Sequence, residues 1–157
     1  MRSLRVAATA LAALTAAAIA QGAVADGHLE KAVKARQAQM QLYSFNLGQL
    51  GAMAKGDAAY DAKVASAAAN NLAALASLDG SALWPQGSDL TAMPDKTAAK
   101  PEIWSTYPAI AEKGKALREA SAALAAVAGD GLDALKANIG PVGKSCGGCH
   151  NDFRQKK

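Results

Sequence analysis

Four stretches of the chain place their apolar residues at alternating steps of three and four, the spacing that turns one face of a helix toward its neighbours. The first seam runs Leu29, Val33, Arg36, Met40, Tyr43, Leu47, Leu50 and Ala54, with one cation on an otherwise apolar line. Lys55-Gly56-Asp57 interrupts it, and Asp57 is the expected N-cap of a second helix carrying Tyr60, Val64, Ala68, Asn71, Leu75 and Leu78. Asp79-Gly80 ends that helix. From Ser81 to Lys100 the periodicity stops, and Pro85, Gly87, Ser88, Asp89 and Pro94 mark a long crossover loop. Pro101 suits the first turn of a third helix, and Glu102 beside it suits the positive end of the helix dipole. Its seam is Ile103, Tyr107, Ile110, Gly114, Leu117, Ser121, Leu124 and Ala128, in which Pro108 predicts a kink or a start delayed past it. Gly129-Asp130-Gly131 turns the chain back. The last seam is Leu132, Leu135, Ile139, Val142, Cys146, Cys149 and Phe153, and Gly140-Pro141 predicts a kink or split within it.

Four helices with one long connection define an all-α fold, an antiparallel four-helix bundle. Composition agrees, since alanine, the best helix former, is the commonest residue while β-branched and aromatic residues are sparse. Residues 1–25 read differently from the rest. Arg2 and Arg5 precede an uncharged run from Val6 to Ala20, and Ala23-Val24-Ala25 is a small-x-small end, which together describe a secretory signal peptide cleaved after Ala25. The apolar run is short for a membrane anchor. The expected product is a single periplasmic domain, 26–157, with no anchor after cleavage.

Cys146-Gly147-Gly148-Cys149-His150 holds both cysteines of the chain and changes the picture most. On a helix, positions i, i+3 and i+4 share a face. Two thiols so placed can add across the vinyl groups of one porphyrin, with the adjacent imidazole as the iron ligand, the pattern of c-type haem attachment. A thioredoxin-like pair would sit beside a strand of a βαβ unit, and no strand pattern precedes this motif. Both cysteines fall on the last seam, so one covalently bound haem c is expected inside the bundle, near the end of the last helix. The formal charge of +4 includes the two leader arginines, and haem propionates bring the remainder near neutral. No basic run supports nucleic-acid binding. No nucleophile triad, phosphate loop or zinc cluster is present, so an enzyme is not expected.

With haem near the carboxyl end of the last of four helices, the chain resembles the class II cytochromes c, the cytochrome c′ family. The resemblance covers the whole region after the leader. It rests on the motif continuing into Asn151-Asp152-Phe153-Arg154, on Lys100-Pro101-Glu102-Ile103-Trp104, and on Arg36-Gln37 with Met40 four residues after the arginine. Class I cytochromes c carry the motif near the amino end. The resemblance implies thioether cysteines at Cys146 and Cys149, a proximal ligand at His150, and Arg154 as the basic residue one turn later. It implies Arg36 and Gln37 beside the haem propionates, with Glu102 approaching the same edge. A cation on the first seam needs a partner, which a propionate would supply.

The functional reading turns on Met40, which the resemblance places on the side of the iron opposite His150. Methionine ligation there describes a low-spin electron carrier serving redox partner proteins, and this is the preferred expectation. The alternative is a five-coordinate, high-spin protein binding nitric oxide or carbon monoxide, in which Met40 only packs. A peroxidase would need a distal histidine or arginine, for which only Arg36 could be argued. Trp84 and Trp104 are expected to plug the open end of the bundle, Met53 and Met93 to fill gaps, and His28 to be exposed. The family also contains homodimers paired through the first two helices, although here no outward apolar stripe separates from the core one.

Overall fold

Each long seam forms a helix. The computed structural model describes the backbone of residues 3–156 and side chains from residue 27; the expected leader lies outside the described side chains. The elements are α1 (Ser3–Lys55), α2 (Ala62–Ser77), the short α3 (Glu102–Ser105), α4 (Ala109–Val127) and α5 (Leu132–Phe153), with a single 3-10 turn at Ser81–Leu83. α1, α2, α4 and α5 pack as the four-helix bundle expected from the periodicity. Leu50, Leu72, Leu124, Leu135 and Val142 form its centre, interleaved with Ala65, Ala68, Ala69 and Ala128. Alanines at the contacts let the helix axes approach closely.

Three local expectations are corrected, and at Pro108 the delayed start is the alternative realised. Asp57 does not cap α2. Gly56, at φ 85°, ends α1 in the left-handed conformation, and the amides of Asp57 and Ala58 both donate to Ala52 O, at 2.9 and 3.2 Å. Residue 57 is therefore consumed in closing α1. Asp61 caps instead, its Oδ1 accepting from Lys63 N at 2.8 Å and Val64 N at 3.0 Å. The buried stripe of α2 is Ala65, Ala68, Ala69 and Leu72, rotated from the expected seam, so that Val64 and Leu78 are exposed. At Pro108 the third seam breaks into two helices: α3 ends before it and α4 begins after it, leaving Tyr107 exposed. Gly140-Pro141, by contrast, does not split α5, which runs unbroken as one helix. The clash that drives a residue before proline out of the helical region involves its Cβ, which Gly140 lacks. Leu135 and Val142, both buried, hold the helix to the core on either side.

The tight α4–α5 turn uses its two glycines for different reasons. A Cβ at Gly129 would collide with the Ser66 hydroxyl, and Gly131 stands at φ 126°. Tyr60 closes the turn, its hydroxyl donating to Ala128 O at 2.9 Å and accepting from Gly131 N at 3.0 Å. A second, smaller cluster of Ala99, Ile103 and Phe153, with Trp84, Trp104 and Ile110, caps the other end of the bundle. Trp104 Nε1 donates to Trp84 O at 3.1 Å, so the two tryptophans plug this end together. Met53 is buried in the core and Met93 half-buried in the loop, while His28 is exposed.

Ser121 is fully buried on α4, and its hydroxyl has no hydrogen-bond partner among the described residues. An unsatisfied buried hydroxyl costs about 1–3 kcal/mol. Ser121→Ala should therefore leave the urea midpoint of the holoprotein unchanged or raise it, whereas Leu124→Ala, at the centre of the core, should cost about 2–5 kcal/mol by opening a cavity.

Candidate haem site

The site lies where the α1 seam loses its packing. Val33 and Arg36 are buried against the crossover loop, and Leu50 is buried in the bundle core. Between them Met40 is 38% exposed and Tyr43 half-buried. What faces this gap follows from the register of α1 on α5. Ser44, Leu47, Gly48 and Gly51 share one groove with Ile139 and Gly143. In an antiparallel pair, one step toward the amino end of α1 corresponds to one step toward the carboxyl end of α5. Leu47 beside Gly143 thus places Tyr43 beside Cys146 and Met40 opposite His150. The raised pKa of Tyr43 is in keeping with this register: burial is its main cause, and Cys146 adds to it.

Cys146, Cys149 and His150 are all partly buried, and the two cysteines are free thiols. Burial pushes both thiols above the ordinary cysteine value, so they stand protonated. Burial, and secondarily the Arg154 charge, pushes the His150 imidazole down, which favours the neutral form that a metal requires. The imidazole has no hydrogen-bond partner among the described residues. Phe153 buries the end of the same face, and Cys149 packs against its cluster. Lys113 on α4 reaches over Gly148 to pair with Asp152 at 2.9 Å. Two thiols and an imidazole on one stripe, none engaged elsewhere, facing a break in the opposing seam, fit a covalently attached porphyrin.

The remaining expected residues are placed as follows. Arg36 is 3% exposed, and its four terminal N–H groups go to the crossover loop: Nη1 donates to Leu83 O at 3.3 Å and Ser88 Oγ at 2.8 Å, Nη2 to Ser88 O at 2.6 Å and Thr97 Oγ1 at 2.9 Å. The guanidinium also lies 4.6 Å from the centroid of the Trp84 ring. The loop thus supplies partners for this cation, and Nε–H is left for a further acceptor. Gln37 Nε2 donates to Lys96 O at 2.7 Å on the same loop. Glu102 is exposed on the first turn of α3, above the tryptophan cluster. Arg154 is exposed one turn after His150, and its backbone pairs with Ala99. Tyr43 was missed as a site residue, although its place on the seam, three after Met40, was the available signal.

The family model of cytochrome c′ matches residues 31–154. The chain belongs to the cytochrome c′ family. Cytochrome c′ of Cereibacter sphaeroides is 42% identical over 150 residues, covering 96% of each chain. Cytochrome c-554 of the same organism is 39% identical over 146 residues, covering 92% of this chain and 95% of its own. The solved cytochrome c′ from Rhodobacter sphaeroides superposes with a TM-score of 0.79 at 41% identity, covering 82% of this chain and 98% of that one. A nitric oxide complex of the L16A mutant of the Alcaligenes xylosoxidans protein superposes at 0.72 with 36% identity, covering 83% and 98%. As a member of this family, the protein carries one covalently attached haem c per chain.

Cys146→Ala combined with Cys149→Ala should abolish haem that survives a denaturing gel, as read by haem stain. Removal of haem should also lower the helical circular dichroism markedly, because Met40 and Tyr43 lose the surface they would cover and Gly147-Gly148 weakens α5 by about 1 kcal/mol per glycine. Apo and holo forms that melt alike would contradict a haem placed between α1 and α5.

Proposed function

We propose that the protein binds a diatomic gas, nitric oxide or carbon monoxide, at a five-coordinate haem held by Cys146, Cys149 and His150. When bound, the haem would supply a redox-active iron able to take a diatomic ligand, and His150 would hold it. The observation that carries the reading is the likeness, over most of the chain, to proteins named cytochrome c′. The solved nitric oxide complex of a relative supports it. The methionine-ligated electron carrier favoured on sequence grounds is the weaker reading beside these relatives. Arg36 and Gln37 hold the crossover loop over the end of the slot, while the apolar cluster around Trp84 and Trp104 excludes water from it. Nothing in this arrangement supplies an acid or base for turnover, so we read the protein as a binding protein and not an enzyme. Export to the periplasm follows from the leader-like segment, and no helix of the described residues is long and apolar enough to cross a membrane.

The structure also brings out an apolar surface that the sequence pattern had hidden. Leu42 and Phe45, one turn apart on the outer side of α1, are 50% and 66% exposed. We assign this face to a homodimer contact between copies of α1.

The ferric holoprotein should show a high-spin optical spectrum, and the reduced form should take up carbon monoxide without a slow ligand-displacement phase. Met40→Leu, similar in volume and without a lone pair, should leave both unchanged. A low-spin spectrum with a far-red sulfur-to-iron band, converted to high-spin by Met40→Leu, would restore methionine ligation. For the dimer, Phe45→Asp should shift the sedimentation of the holoprotein to that of a monomer with its visible spectrum intact.

A further inference from the structure

The α1 wall of the slot is made by Met40 and Tyr43, and only one of them is polar. The Tyr43 ring packs against the bundle core beside Leu47, yet its hydroxyl has no hydrogen-bond partner among the described residues. Phenols in such half-buried positions normally find one. Three helices meet at this hydroxyl. α1 carries it, Cys146 on α5 raises its pKa, and the Arg118 guanidinium on α4 opposes that effect, so both groups lie within electrostatic reach. Burial is the largest influence and pushes the phenol up to about 12, so it remains a neutral donor across the physiological range. Arg118 itself is exposed and makes only a long contact, 3.5 Å, to Ala76 O.

We propose that Tyr43 donates a hydrogen bond to the diatomic ligand on the α1 side of the slot and thereby sets which ligands are retained. The proposal rests on the gas-binding reading above. Its physical basis is a donor without an acceptor, one turn from the residue opposite His150, in a slot whose other α1 side chain is a thioether. A ligand that gathers negative charge on its outer atom gains from such a donor more than carbon monoxide does. Tyr43 would thus make the site selective through one oxygen atom, while Met40 limits its size.

The test uses the reduced holoprotein. The C–O stretch of its carbon monoxide adduct, measured in H2O and in D2O, should shift between the two solvents in the wild type. Tyr43→Phe keeps the ring and its packing. It should move the band to higher wavenumber, remove the solvent shift and speed nitric oxide dissociation about tenfold, the equivalent of ~1.4 kcal/mol. A band insensitive to D2O in the wild type would overturn the proposal without any variant, as would an identical band and dissociation rate in Tyr43→Phe. Either result leaves gas binding itself standing. A wild type that takes up neither gas would overturn both readings.

Discussion

The antiparallel contact of α1 with α5 is the constraint on which the site depends. α5 spends the first half of its apolar stripe, Leu135 to Val142, on the protein core, and the second half, Cys146 to His150, on the prosthetic group. α1 must match this division. Its packed residues from Leu47 onward meet the first half of α5, and the half-buried Tyr43 and more exposed Met40 meet the second. A register shift of one turn would set Leu47 against the thiols and expose Met40 fully, losing core burial of about 1.5–3 kcal/mol per large side chain. The position of the slot is therefore fixed by the same apolar contacts that hold the bundle together.

Arg36 shows why a buried charge can be structural here. Burial lowers its pKa, and Asp89 on the loop opposes that effect; a guanidinium remains charged throughout. Stripping its partners would leave an uncompensated cation in the interior, which is far more costly than any single hydrogen bond it makes. The loop that supplies those partners, Leu83 to Thr97, carries Trp84, which stacks on the guanidinium and accepts from Trp104. At its far end, Leu90 N bonds Ala99 O at 2.7 Å, Lys100 N bonds Phe153 O at 2.9 Å and Gln155 N bonds Ala98 O at 2.8 Å. One arginine on α1 thus ties the long irregular segment to the end of the haem-bearing helix.

Much of this was legible in the sequence because helical periodicity reports burial directly. The fourth seam is the clearest case: Leu132, Leu135, Ile139, Val142, Cys146, Cys149 and Phe153 are each buried or half-buried. α2 was read less well, because in a helix so rich in alanine the small residues take the close contacts and the larger Val64 and Leu78 turn outward, against the usual weighting of size. The cap at Asp61 was hidden by Asp57, a residue of the same type four positions earlier, and only the backbone closure of α1 separates them. The loop partners of Arg36 were out of reach of pattern reasoning, since Leu83, Ser88 and Thr97 lie far away in sequence and two of the four bonds go to backbone carbonyls, which carry no composition signal. The continuity of α5 through Pro141 depends on a missing Cβ at Gly140, which reads equally well as a second helix breaker.

The rotation of α1 about its own axis remains to be explained, because the gap faces α5 only at one setting. Two buried polar residues flank the gap and fix that setting. Arg36 lies on one side. On the other is Asn46, 3% exposed, whose Nδ2 donates to Leu42 O at 2.8 Å and whose Oδ1 accepts from Asn71 Nδ2 on α2 at 3.0 Å. Gln39 adds a bond from the same helix to Leu75 O at 3.1 Å. Apolar contacts tolerate small rotations, whereas each of these groups would lose a partner and keep its burial, at about 1–3 kcal/mol apiece. Polar anchors thus set the orientation and apolar contacts set the depth. Between them Met40 and Tyr43 are held on the side toward α5, Tyr43 with its ring against the core and Met40 partly exposed.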